Sequence, residues 1–248
     1  GIGDLGHDAY DFIDFLAAGG QKLWQILPLN TVGYGDSPYA TLSAFAGNPL
    51  LISPDKLVSA GLLDSADVKN KPAFDQAKVH FDQVRTYKDS LFRKAFQRFA
   101  DLEDSAAYRE FVNDNQYWLD DYCLFMALKN HFNGAPWNKW EKAIPAREEG
   151  AVRRYQEMLH REIDYYRFLQ FIFYTQWHDL KQYAHIKGIK IIGDLPIYVS
   201  YDSSDTWSKP HYYQLDEKGL PLKVAGVPPD YFSETGQLWG NPIYNWEA

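Results

Sequence analysis

Gly188-Ile189-Lys190-Ile191-Ile192-Gly193-Asp194-Leu195-Pro196-Ile197-Tyr198-Val199 is the stretch on which the fold turns. Its first glycine closes a dense helical pattern that runs from Arg154 to Ala184, with Ile163, Leu169, Phe173 and Leu180 among its apolar positions. The run Ile189-Lys190-Ile191-Ile192 then begins a strand. The same order stands near the start of the chain. Ala9, Phe12, Ile13 and Leu16 have helical spacing, Gly19-Gly20 stops them, and Leu23-Trp24-Gln25-Ile26-Leu27-Pro28-Leu29 follows. That run is apolar apart from Gln25, which predicts a strand covered on both faces in a parallel sheet. Helix and strand in this alternation define α/β architecture.

Between the two strands, Ser53-Pro54-Asp55-Lys56 reads as an N-cap with proline at the first helical position, and Asp104-Ser105 as the cap of a helix ending at Asn133-Gly134. Residues 54–150 therefore read as a helical insertion between residues 1–53 and 151–248. Only two convincing strands of this type occur in 248 residues, and two parallel strands cannot close a barrel. The sequence opens abruptly on Gly1-Ile2-Gly3-Asp4-Leu5-Gly6 and stops in an aromatic loop, Asn241 to Ala248. These features predict a piece of a longer protein.

A net charge of -8 argues against nucleic acid or an anionic membrane as the main partner, because both need a basic face. No apolar run reaches the roughly 20 residues of a spanning helix. The single Cys123 lies in an apolar helical stretch and reads as a small buried hydrophobe, which fits a reducing, cytoplasmic setting. Trp137 and Trp140, three apart, read as packing within the insertion. The seven histidines show no metal-ligand spacing, and no glycine-rich phosphate loop opens a helix, so neither metal nor cofactor is implied.

Aromatic residues make up 17% of the chain, and most must be core. The exceptions fall in two stretches stiffened by glycine and proline: Gly33-Tyr34-Gly35-Asp36-Ser37-Pro38-Tyr39, and Pro228-Pro229-Asp230-Tyr231-Phe232-Ser233-Glu234-Thr235-Gly236-Gln237-Leu238-Trp239-Gly240-Asn241-Pro242. Rings beside short polar groups suit a carbohydrate, whose apolar C–H face stacks on an aromatic while its hydroxyls take Asp, Asn, Gln or Ser. Both stretches follow predicted strands, which suggests one groove built from two strand ends.

Trp24 to Leu29, Gly33 to Tyr39, Ser43-Ala44-Phe45-Ala46-Gly47-Asn48-Pro49, Gly193 to Val199 and Gly236 to Pro242 resemble, in this order, glycoside hydrolase family 77, the 4-alpha-glucanotransferases. The resemblance spans nearly the whole chain. It implies part of a TIM-type (β/α)8 barrel with a helical insertion, and transfer of an alpha-1,4-glucan segment to the 4-hydroxyl of glucose or another glucan by a retaining double displacement. Carried over by motif, Ser37 and Tyr39 lie against the sugar at the cleavage subsite, and Asp194 supports the active site at a strand end. Asp230, Phe232, Gln237, Trp239 and Asn241 belong to a loop, 226–242, over the acceptor side, and Tyr34 lies near a secondary glucan contact. The nucleophile and acid/base carboxylates of the family match nothing here, so the chain alone is expected to be inactive without the remainder of the barrel. An alpha-amylase-type hydrolase and a non-catalytic glucan-binding module are the alternatives.

Overall fold

The computed structural model describes residues 1–99 and 105–248, with the side chain of Tyr34 outside the description. Helix α1 spans His7–Ala18 and ends at Gly19, with Gly20 at φ 72 in the left-handed region that glycine enters without strain. Strand β1, Leu23–Gln25, pairs in parallel with β2, Lys190–Ile192, aligning Trp24 with Ile191. The Lys190 N–H donates to Lys22 O at 2.8 Å, and the Ile26 N–H to Ile192 O at 3.0 Å.

The expectation that these strands are covered on both faces is corrected. Leu23, Leu27 and Ile192 are 56%, 60% and 44% exposed. A two-stranded parallel sheet has an unpaired edge on each strand and no neighbours to bury its apolar side chains.

Between the strands lie α2 (Pro54–Ser59), α3 (Ser65–Lys69), α4 (Phe81–Phe99) and α5 (Ala106–His131). Pro54 does open α2, but the Ser53 side chain makes no cap; instead its backbone is held from elsewhere in the fold. Ser105 Oγ accepts the Tyr108 N–H at 3.4 Å at the start of α5, while Asp104 lies outside the described residues. Asn133 and Gly134, both at positive φ, follow the end of α5 as predicted. The single helix expected over Arg154–Ala184 is two: α6 (Glu149–Met158) stops at Leu159, and α7 runs from His160 to Ile186.

The chain gathers into two compact units. Unit 1 comprises Gly1–Leu29, Gly47–Gln116 and Arg167–Asp194. Its core includes Ile13, Ile52, Leu57 and Phe168, and Phe99 packs on Phe168 with ring centroids 4.9 Å apart. Two buried glutamines of α7 brace the 47–53 turn. Gln176 accepts the Ser53 N–H at 2.7 Å and donates to Ser53 O at 3.2 Å, and Gln170 does the same for Gly47. Buried Lys88 fills its three donor positions with Leu50 O (2.8 Å), Ile52 O (2.8 Å) and the Asp4 carboxylate (3.0 Å). Burial lowers its pKa, and Asp4 opposes that shift.

Unit 2 comprises Asn30–Ala46, Tyr117–Tyr166 and Leu195–Ala248. Its core is aromatic: Phe125, Trp140 and Trp207 meet with centroid separations of 5.5 to 6.0 Å. Trp137 is buried, as the spacing predicts, but on a 3-10 turn, and its indole N–H donates to Tyr201 O at 2.8 Å. Cys123 is fully buried. Helix α8 (Ser204–Ser208) is capped by Ser203, and β3 (Val224–Val227) pairs antiparallel with β4 (Gln237–Pro242). Among the described residues no helix is long and apolar enough to cross a membrane.

Candidate functional site

The first aromatic loop is closed on itself. Val32 and Thr41 form an antiparallel bridge, the Gly33 N–H reaches Ala40 O at 2.7 Å, and the Thr31 N–H reaches Ala46 O at 3.0 Å. Any Cβ at Gly33 would stand 3.0 Å from Ala40 O, so glycine permits this closure. The tip turns through Gly35 at φ 75 and Asp36 at φ 56. It then presents Tyr39, 48% exposed, whose N–H donates to Ser37 Oγ at 3.3 Å. Tyr34 opens the 3-10 turn at the tip, and its side chain lies outside the described residues.

The second stretch differs from expectation. Residues 226–242 are a hairpin rather than one loop, and Gln237, Trp239 and Asn241 stand on a strand. The hairpin's close approach needs Gly226, where a Cβ would meet Gln237 O at 2.6 Å. Between the Gly226–Leu238 and Val224–Pro242 pairs, Ala225 faces Trp239, Gly240 and Asn241, a bulge that Gly240 at φ 81 accommodates. Bulges of this kind re-aim side chains. Here the Trp239 indole N–H donates to Gln237 Oε1 at 3.1 Å, which fixes the ring beside an amide.

At the tip of the hairpin, Asp230 Oδ1 accepts the N–H groups of Phe232 (2.9 Å) and Ser233 (2.8 Å), so this carboxylate orders the turn. Phe232 is 89% exposed and meets Tyr231 edge-on at 5.8 Å.

The two stretches share an anchor, residues 199–205. Asn241 Nδ2 donates to Val199 O at 2.9 Å, and the Ser200 N–H donates to Thr41 O at 3.0 Å. The Ser204 N–H donates to Leu42 O at 2.9 Å, and Asp205 Oδ2 accepts the Ala44 N–H at 3.1 Å. Ser37, Tyr39, Asp230, Phe232, Gln237, Trp239 and Asn241 all belong to unit 2, whereas Asp194 is the last residue of unit 1, exposed two positions beyond β2.

Asp205 escapes the sequence reading because Ser203-Ser204-Asp205-Thr206 looks like an ordinary helix cap, which Ser203 indeed supplies. Burial pushes the Asp205 carboxyl up, and the Ala44 N–H and Ser204 oppose that. Tyr213 and Tyr244, stacked at 5.3 Å, are also pushed up, first by burial and then by Asp205.

Sequence comparison bears on what these residues serve. The family profile described as 4-alpha-glucanotransferase matches residues 1–248. The chain belongs to glycoside hydrolase family 77. Within this family, the 4-alpha-glucanotransferase of Clostridium butyricum is 49% identical over 99% of the chain and 51% of the relative, and that of Synechocystis sp. is 47% identical over 100% and 50%. An amylomaltase from Streptococcus agalactiae, solved in complex with acarbose, superposes with a TM-score of 0.94 at 44% identity, covering 100% of this chain and 50% of that one. The family 77 chain described here thus spans about half the length of the curated relatives it matches, and it has the mixed helix and sheet fold of the corresponding part of amylomaltase.

Proposed function

We propose that the whole protein containing this chain is a 4-alpha-glucanotransferase that moves an alpha-1,4-glucan segment to the 4-hydroxyl of glucose or another glucan. The observation that carries this reading is the close superposition on an amylomaltase in complex with acarbose. In the retaining double displacement a carboxylate attacks the anomeric carbon as an acid protonates the departing oxygen, and the acceptor hydroxyl then displaces the carboxylate. Both groups lie outside these residues, so the chain alone turns nothing over.

Its own contribution is binding. Tyr39 and Ser37 hold the sugar at the cleavage subsite, Tyr34 lies near a secondary glucan contact, and Asp194 supports the catalytic geometry. Gln237, Trp239 and Asn241, with Asp230 and Phe232 at the hairpin tip, face the acceptor and keep water from the glycosyl-enzyme. The paired strands are two of eight in a (β/α)8 barrel, of which residues 1–53 supply the first part and 151–248 a continuation, with 54–150 inserted between them. The exposed Leu23, Leu27 and Ile192 dock the remaining strands. Cytoplasmic maltooligosaccharides are its substrates.

Incubating the full-length protein with maltotriose tests this. Transfer gives glucose together with glucans longer than three units; only maltose and glucose would mean hydrolysis and sink the proposal.

A further inference from the structure

We infer that Asp205 is a positioning residue for glucan binding, setting the Tyr39 loop against the 199–205 anchor through the Ala44 N–H. This rests on the binding role proposed above for Tyr39. The loop behaves as one body because its two limbs are cross-bonded from Thr31–Ala46 to Gly33–Ala40, and Thr41 Oγ1 donates to Ser43 O at 2.6 Å inside its base. Its attitude is therefore set where the base is attached. The attachments on the 199–205 side include Ser200 N–H to Thr41 O, Ser204 N–H to Leu42 O, and Ala44 N–H to Asp205 Oδ2, and the Ser204 hydroxyl reaches Leu42 O as well.

The first two are backbone donors that any residue except proline supplies. The third depends on one side chain, and it is the ionisable one. Ser204 Oγ lies 3.3 Å from Asp205 Oδ2 and 3.2 Å from Leu42 O, so the carboxylate also orients the hydroxyl beside the second attachment. The same anchor carries Asn241 through Val199 O, so Asp205 governs one of the two sugar-facing stretches without touching the other. A hydrogen bond to a carboxylate is stronger than one between neutral groups, which makes this the attachment whose loss the loop feels most.

The test uses the full-length protein with maltotriose as substrate. Asp205→Ala removes the acceptor, and KM is expected to rise roughly tenfold while kcat stays within about twofold. Asp205→Asn keeps an oxygen for the Ala44 N–H and is expected to restore KM to within about twofold of the parent. In Asp205→Ala the amides of residues 39–45 exchange faster with solvent, and in Asp205→Asn they do not. Should Asp205→Ala fail to fold, Asp205→Ser, whose hydroxyl is too short to reach Ala44, takes its place. An unchanged KM in the alanine or serine variant, or an equal rise in the asparagine variant, overturns the inference. Absence of longer glucans from the unsubstituted protein would instead overturn the proposed function, so the two failures are distinct.

Discussion

Gln170 satisfies both backbone hydrogen-bonding groups of Gly47: Oε1 accepts its N–H at 2.8 Å and Nε2 donates to its carbonyl at 3.0 Å. Gln170 is fully buried, so these are the partners of a primary amide removed from water. Gln176 repeats the arrangement at Ser53, and between them the two amides hold both ends of the 47–53 turn.

Gln170→Ala strands a buried N–H and a buried carbonyl, and a loss of about 2–4 kcal/mol is expected. Gln170→Glu, which accepts but does not donate when ionised, is expected to be no better. Urea denaturation of both variants, compared by midpoint at constant slope, reads this directly.

Gly47 is required for a second reason: a Cβ there would overlap the Phe173 ring. Gly47→Ala is expected to cost roughly 1–3 kcal/mol or more through overpacking. Combining it with Phe173→Leu should recover part of that loss, because the ring is what the methyl meets. Additive losses in the double variant would show that the backbone, rather than the ring, resists the change.

Acid sensitivity follows from Asp14. The Lys187 ammonium at 2.7 Å and the Tyr183 hydroxyl at 2.8 Å hold its carboxyl below the usual aspartate range, and Asp14 in turn raises Lys187. A lowered carboxyl contributes stability that is present above its unfolded pKa and is lost as pH falls through the folded value. A raised lysine contributes below its unfolded pKa and loses that as pH rises through its folded value. Asp14→Asn is therefore expected to lower the melting temperature at about pH 7, and its difference from the parent should shrink below about pH 4. A difference independent of pH would rule out the ion pair as its source.

Trp239, fixed by Gln237, is the ring expected to receive the acceptor. In the full-length protein Trp239→Ala should weaken acceptor stacking by about 1 kcal/mol, roughly fivefold, and raise the ratio of hydrolysis to transfer. Chromatography of products from maltotriose checks it: an unchanged ratio of free glucose to elongated glucans would remove Trp239 from the acceptor side.

The helices were legible because their apolar residues recur at a spacing that the backbone itself imposes, and glycine marked their ends at Gly19 and Gly134. The break at Leu159 was not legible, since apolar residues continue in register through it. The hairpin 224–242 was hidden by its own composition. Gly226, Gly236 and Gly240 read as loop, yet Gly226 lets the strands approach and Gly240 accommodates the bulge. Buried polar groups were silent for a different reason. Gln170, Gln176 and Lys88 lie inside and Asp205 is half-buried, yet all are residue types that belong on a surface, and only their partners reveal where they sit.

The sequence by itself determined the two strands, most of the helices, the rings carried by the two glycine- and proline-rich stretches, and the family, since each is written in neighbouring residues. Only the tertiary structure decided that Trp24 lies beside Ile191 and that the Tyr39 loop and the Asn241 strand hang from the same residues, 199–205. Those pairings join positions far apart in the chain, through backbone hydrogen bonds that every residue but proline offers and through the side chains of Asn241 and Asp205, whose distant partners no local pattern records.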